Sequence, residues 1–283
     1  METKRRGTTE QDRAGGGERR RQGQLGGVPT ETVYGLGADA LNETAVAQIY
    51  AAKGRPSDNP LIVHVAEKAD IAPLVREIPE KAKKLFDRFF PGPLTVILPK
   101  SDKIGKVVSG GLDTVAVRMP ENPVAHRLLQ LAGVPVAAPS ANTSGLPSPT
   151  RAKYVQEDMN GKIAAIVDGG DCAYGVESTV ITLATPTPTL LRPGAVTKEM
   201  LEAEIGPIAV APAVLEKMAD GETAASPGMK YKHYAPKAQV ILVNGDSAAY
   251  AAFVNSQPGC YALCYEEDRV TVPKVPTARP PTT

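Results

Sequence analysis

A chain of 283 residues is long enough to bury a sizeable core, as one large domain or, the reading preferred here, as two ordinary ones. Thirty-two Lys+Arg against 31 Asp+Glu leave a formal charge of +1, so no global field draws nucleic acid or an anionic membrane, and a nucleic-acid contact would need a local patch. Three cysteines (Cys172, Cys260, Cys264) and three histidines exclude a disulfide framework or a four-ligand zinc site. With no apolar run of membrane-span length and no signal-peptide core, a cytoplasmic protein without membrane contact is expected.

In chain order, residues 1–25 carry Lys4, Arg5, Arg6, Arg13, Arg19, Arg20 and Arg21, a Gly15-Gly-Gly17 run and almost no large apolar side chain. The segment through residue 27 is expected to be disordered or aberrant; a solvated tail is favoured over an RNA-binding arm. Over 42–53, Val46, Ile49 and Tyr50 recur at helical spacing behind Asn42 as a cap. Residues 61–65 read as a strand, 79–90 as a helix stopped by Pro91-Gly-Pro93, and 94–98 as a buried strand. Strands at 114–118 and 134–138 flank a helix at 123–131. Three more strands fall at 164–168, 178–183 and 189–192, the last two a hairpin across Thr185-Pro-Thr-Pro188. Strands and helices alternate, so the class is α/β. This first domain spans 28–206. Residues 207–237 lack strong periodicity and read as a linker or lid. In 238–283, a strand at 239–243, a helix at 247–254 and a strand at 260–264 make one β-α-β unit.

The polar run Pro29-Thr-Glu-Thr-Val-Tyr-Gly-Leu-Gly37, then Lys53-Gly-Arg55-Pro56 and Pro139-Ser140-Ala-Asn142-Thr-Ser-Gly145, place cations, hydroxyls and turn glycines where strands end. That pattern reads as an anion site and points to chemistry on phosphates. No G-x-x-x-x-G-K-[ST] occurs, and Gly35-Leu-Gly37 lacks the third glycine of a dinucleotide fingerprint. Lys53 and Arg55 could direct an ammonium and a guanidinium at one polyanion. Local sequence alone favours the plainer reading of a solvated helix end, where basic residues suit the dipole. Asn59 and His64 follow, and alternation along 61–65 leaves the face of His64 open. Thr114 begins a strand that Arg118 ends, and Arg192 ends another; with Lys53 and Arg55 they could converge in one cationic pocket. Ser140, Asn142, Thr143, Ser144 and Ser148 offer hydroxyl and amide groups in one loop. Ser178 opens a strand within Glu177-Ser178-Thr179. No Ser/His/Asp order or paired carboxylates stand out, so positioning and phosphate electrostatics suit these residues better than nucleophilic or glycosidase chemistry.

At these residues the chain resembles the YrdC/YwlC/Sua family of threonylcarbamoyl-AMP synthases in its long form. The signatures are Pro29-Thr-Glu-Thr-Val-Tyr-Gly35, Lys53-Gly-Arg55, Ser140-Ala-Asn142, Glu177-Ser-Thr179, Leu191-Arg-Pro-Gly194 and Ser226-Pro-Gly-Met-Lys-Tyr-Lys-His-Tyr-Ala-Pro236. The resemblance implies a twisted mixed sheet with helices, followed by a Rossmann-like C-terminal domain that is only partial here. It implies a nucleotidyltransferase that joins L-threonine, bicarbonate and ATP, with Mg2+, into threonylcarbamoyl-adenylate and pyrophosphate for tRNA modification. tRNA or the tRNA threonylcarbamoyl-transferase complex would be further partners.

By the same resemblance Thr32, His64, Arg118 and Ser178 would hold threonine, with Arg118 on its carboxylate. Arg55, Asn59, Thr114, Ser140, Ser148, Arg192 and the backbone at Ala138 would contact ATP. Lys53 and Asn142 would complete the rim, with Lys53 and Arg55 the catalytic cations, and Tyr231, His233 and Tyr234 would belong to a lid that keeps water from a hydrolysable anhydride. The run Arg19-Arg-Arg-Gln-Gly-Gln-Leu-Gly-Gly27 departs from the helix and apolar strand expected before Pro29, as a frameshift or misassigned start would produce. Residues 270–283 are read as non-native too. The rival from another class is a non-catalytic RNA-binding module of the same fold, separable by threonine dependence; a carbamoyl-transfer domain of the hydrogenase-maturation type is disfavoured without zinc-finger cysteines.

Overall fold

In a computed structural model of the chain, the residues described are 25–54, 57, 59–215, 239–264 and 277–278. The chain divides into two compact units, Met1–Ala235 and Pro236–Thr283.

The first unit is built on β1 (Gly26–Val28), β2 (Gly35–Asp39), β3 (Ile62–His64), β4 (Leu94–Pro99), β5 (Thr114–Arg118), β6 (Val136–Ala137), β7 (Ala165–Ile166), β8 (Thr179–Thr182), β9 (Thr189–Arg192) and β10 (Ala209–Val210). They form one sheet in the order β10-β9-β8-β4-β5-β3-β6-β2-β1-β7, with parallel and antiparallel neighbours mixed. The helices are α1 (Glu43–Lys53), α2 (Glu80–Phe89), α3 (Lys106–Ser109), α4 (Pro123–Ala132), α5 (Ala152–Met159), α6 (Lys198–Ile205) and α7 (Pro212–Leu215), with a 3-10 turn at Lys68–Leu74.

Local chemistry explains the helix limits. The Asn42 side chain accepts from the Ala45 amide at the start of α1, and Gly54 ends it at φ 64°, a left-handed conformation that costs glycine little. Asn122 caps α4 in the same way, with Pro123 in its first turn. On α2, Ala82, Leu85, Phe86 and Phe89 are buried, at the spacing that gives a helix one apolar stripe.

The period of two divides the central strands between two surfaces. Val63, Val96, Leu98, Val115, Val117 and Ile181 face the main core with Ile71, Leu85 and Phe86. Burying each such side chain stabilises the fold by roughly 1.5–3 kcal/mol. The alternate residues Ile62, Ile97, Ala116, Val180 and Leu191 form a smaller apolar cluster on the other surface, with Ala211 and Val214 against it. That second surface is apolar in the middle and polar at both ends, which places the site.

Three stretches differ from the sequence reading. The segment expected to be disordered through residue 27 is ordered from Leu25: Leu25 is buried, and β1 pairs antiparallel with β2 and parallel with β7. Its glycines hid it, since a Cβ on Gly27 would lie 3.2 Å from both Ile166 and Val155. Residues 1–24 lie outside the described set. Past Gly206, β10 adds to β9 in parallel, and α7 follows it. In the second unit, 239–243 is not a strand: Val240, Ile241 and Leu242 are exposed, and no described strand pairs with them. An apolar run becomes a strand only where a neighbour satisfies its backbone. There α8 (Ser247–Ser256) buries Ala251 and Val254 with Ala262 and Cys264, and β11 (Ala262–Leu263) pairs in parallel with β12 (Thr277–Ala278).

Among the described residues no helix is long and apolar enough to cross a membrane, and no group of three or more His, Cys, Asp or Glu side chains could hold a metal ion.

Candidate functional site

Strand register brings one set of expected residues to one end of the second surface. β3 and β5 run parallel with His64 opposite Arg118, so the two strands end together. β4 is antiparallel to β5 and pairs Val96 with Val117, which puts Thr95, near its start, beside that same end. β8 is parallel to β4, so Ser178 just before it arrives there too, and antiparallel β9 brings its last residue, Arg192, opposite Val180. His64, Thr95, Arg118 and Ser178 are all buried. Alternation in β3 settles the face of His64: it lies with Ile62, away from the main core.

Hydrogen bonds cross-link this end. Arg118 is 4 % exposed; its Nη2 donates to Glu31 Oε1 at 2.5 Å, its Nη1 to Thr32 Oγ1 at 2.9 Å and its Nε to the Gly92 carbonyl at 3.2 Å. Glu31 Oε2 in turn accepts from the amides of Glu121 and Asn122, at 3.1 and 3.3 Å, just before α4. A buried guanidinium is thus matched by a buried carboxylate whose other oxygen is also satisfied, the condition under which such a pair is tolerated. Of five guanidinium N–H groups three are engaged by these acceptors, and the remaining two lie on Nη1 and Nη2. Ser178 Oγ is 2.8 Å from Thr95 Oγ1 and accepts from Arg192 Nη2 at 3.1 Å, while Arg192 Nε donates to the Ser178 carbonyl at 3.0 Å. Gly194 lets that turn close: a Cβ there would stand 2.6 Å from the Thr179 amide nitrogen.

The second set lies at the opposite end. β6 runs antiparallel to β3, and the Ala138 amide donates to the Ile62 carbonyl, so residues 138–142 leave the sheet where β3 begins. Thr114, at the start of β5, and the fully buried Asn59 share that level. Lys53, 2 % exposed in the last turn of α1, sends its ammonium to the Ser140 carbonyl at 2.5 Å and the Asn142 carbonyl at 2.7 Å, with Asn142 Oδ1 at 3.4 Å. Ser140 Oγ also donates to Asn142 Oδ1, and Asn142 Nδ2 donates to the carbonyls of Thr143 and Leu146. Loop 29–34 joins the two ends. Its Tyr34 carbonyl accepts from the Ala141 amide, its Tyr34 amide donates to the Pro149 carbonyl, and its Glu31 carbonyl accepts from the Tyr174 amide.

Ser148 donates to Glu177 Oε1 at 2.6 Å, and Arg192 rests on Ser178. Two residues expected on ATP are therefore coupled to the neighbourhood expected to hold threonine. Glu31 and Thr95 were not singled out from sequence. The Thr-Glu-Thr run signalled the first; a threonine inside an apolar strand was the only hint of the second. Burial, then nearby Glu31 and Asp171, pushes the half-buried Cys172 thiol beside this loop up to about 12. Arg55, Tyr231, His233 and Tyr234 lie outside the described residues.

Residues 18–194 match the Sua5/YciO/YrdC family model, described as "Telomere recombination", and residues 196–275 match one described as "Threonylcarbamoyl-AMP synthase, C-terminal domain". The chain belongs to this family. A threonylcarbamoyl-AMP synthase of Pyrococcus abyssi (strain GE5 / Orsay) is 57% identical over 225 residues, covering 80% of this chain and 66% of that protein. One from Bacillus subtilis (strain 168) is 54% identical over 226 residues, covering 80% and 64%. The crystal structure of P. abyssi Sua5 complexed with L-threonine matches at TM-score 0.83 and 52% identity, over 87% of this chain and 72% of that one. The chain spans about two thirds of the length of these curated relatives. In this Sua5/YciO/YrdC member those signature residues that are described lie on a mixed α/β sheet of the family's kind, at the two polar ends described above.

Proposed function

We propose that the chain is a threonylcarbamoyl-AMP synthase, a nucleotidyltransferase that makes threonylcarbamoyl-adenylate and pyrophosphate from L-threonine, bicarbonate and ATP. The observation that carries this reading is the gathering by strand register of His64, Thr32, Arg118, Thr95 and Ser178 at one sheet end, with a hydroxyl- and amide-rich loop at the other. A small zwitterion suits the first end: two Arg118 N–H groups are not used by Glu31, Thr32 or Gly92 and could take a carboxylate, and the hydroxyls of Thr32, Thr95 and Ser178 stand at the same end for an amine. The relatives' names and the L-threonine in the P. abyssi Sua5 structure support that assignment.

In the reaction, the threonine amine adds to bicarbonate, losing water, to give a carbamate. One carbamate oxygen attacks the α-phosphorus of ATP, and the bond to the bridging oxygen breaks with the electron pair leaving on pyrophosphate. The protein's share is to align the partners and shield them from water. Thr114, Ser140, Asn59 and the backbone at Ala138 stand at the end assigned to ATP, while Arg192 and Ser148, also assigned to ATP, sit on Ser178 and Glu177 at the threonine end; Arg55, next in sequence to Gly54, is assigned to ATP as well. Magnesium would neutralise phosphate charge and enter with ATP, as oxygen-seeking Mg2+ commonly does, since the described residues offer no acidic cluster of their own. The lid role of Tyr231, His233 and Tyr234 and delivery of the product toward tRNA modification belong to the same proposal.

The test is pyrophosphate release by the purified chain with ATP and magnesium, omitting threonine and bicarbonate in turn. Release that needs both is expected. Folded protein that releases none, yet binds RNA without regard to threonine, would overturn the synthase reading in favour of a binding module.

A further inference from the structure

Lys53 belongs to a signature in which an ammonium and a guanidinium flank Gly54, and charge alone would send both to a triphosphate. Its surroundings say otherwise. The side chain is 2 % exposed, and its ammonium donates to two carbonyls and one amide oxygen of the loop that carries Ser140 and Asn142. The attachment runs both ways, because the Ser144 amide donates to the Lys53 carbonyl at 3.0 Å. Within the loop Asn142 is a brace: its Oδ1 takes the Ser140 hydroxyl, and its Nδ2 closes on Thr143 and Leu146.

We propose that Lys53 is a positioning residue, its ammonium clamping loop 140–146 against the end of α1 so that the loop is set before ATP arrives, without itself touching the phosphates. The inference deepens the synthase reading and rests on it for the identity of the nucleotide. The clamp itself concerns the free protein. A compact point charge fits this cage, whereas the planar fork of arginine, at least as good a phosphate ligand, does not.

The test compares Lys53→Met, Lys53→Arg, Asn142→Ala and the Lys53→Met/Asn142→Ala double variant with the parent chain. The first measurement is amide hydrogen exchange of residues 140–146 without nucleotide; the second is the KM for ATP and for threonine in pyrophosphate release. Exchange in that loop should quicken at least tenfold in each single variant. KM for ATP should rise about tenfold in both Lys53 variants, with KM for threonine moving less than twofold. The double variant should be no worse than the poorer single one, as expected when two residues act through one loop. Lys53→Arg with parental exchange and parental KM for ATP would overturn the clamp in favour of direct phosphate contact. So would parental exchange in Asn142→Ala, which leaves the lysine in place. Should the parent release no pyrophosphate, the synthase reading falls, and the exchange data still decide the clamp.

Discussion

The two polar ends of the second sheet surface hold their buried cations differently. Arg118 is fixed by side chains and one carbonyl drawn from residues 31, 32 and 92, with a carboxylate among them; Lys53 is fixed mostly by main-chain carbonyls of a single loop. A side-chain partner can be deleted and the charge left stranded, whereas a carbonyl stays whatever the residue. The Arg118 end should therefore be fragile to substitution on either side of the ion pair, and the Lys53 end mainly to loss of the lysine or of the brace beside it.

The largest effect that would sharpen this contrast is expected from Arg118→Ala. It strands Glu31 in a buried position and removes the group assigned to the threonine carboxylate, so stability should fall by roughly 3–5 kcal/mol. Threonine use should fall far more than ATP binding. Denaturant midpoints and separate ligand titrations check this, and equal losses for both ligands would break the assignment. A smaller loss is expected for Glu31→Gln, which keeps the shape and an acceptor but weakens a charge-assisted bond, at about 2 kcal/mol. If that variant is as stable as the parent, the ion pair is not what fixes Arg118.

The smallest effect uses Cys172 as a reporter. Burial first, then the negative charges of Glu31 and Asp171, hold its thiol near 12, against a partial offset from Arg118. The thiolate is the reactive form, so alkylation at pH 9 should be slow in the parent. In Glu31→Gln one raising charge is gone while Arg118 still lowers the value, so alkylation should quicken and its midpoint move to lower pH. An unchanged rate profile would mean that the carboxylate is screened from the thiol.

Much of the fold was legible because its central strands carry the pattern themselves. β5 alternates Val115 and Val117 toward the core with Thr114, Ala116 and Arg118 toward the other surface, and β9 ends where Arg192-Pro-Gly194 forces a turn. β1 was not legible, since Gly26 and Gly27 have no side chains to pattern and owe their order to β2, β7 and α5 packing around them. The run 239–243 misled for the opposite reason: it has strand composition without a partner. In the site, residue types announced the polar ends, but pairing across distance did not show. Lys53 meets acceptors 87 and 89 residues on, and Glu31 meets Arg118 87 residues on. No local window contains either pair.

The hydroxyls of Thr95 and Ser178 lie 2.8 Å apart, and either can donate to the other. With Arg192 feeding a hydrogen bond into Ser178, the pair works as a relay whose polarity can reverse by rotation of two O–H bonds, with every heavy atom still. When Ser178 donates to Thr95, its Oγ keeps one lone pair beyond the Arg192 bond to accept a further donor. When Thr95 donates to Ser178, the serine O–H is left to donate elsewhere. One pair of hydroxyls can thus meet either a donor or an acceptor at the same place.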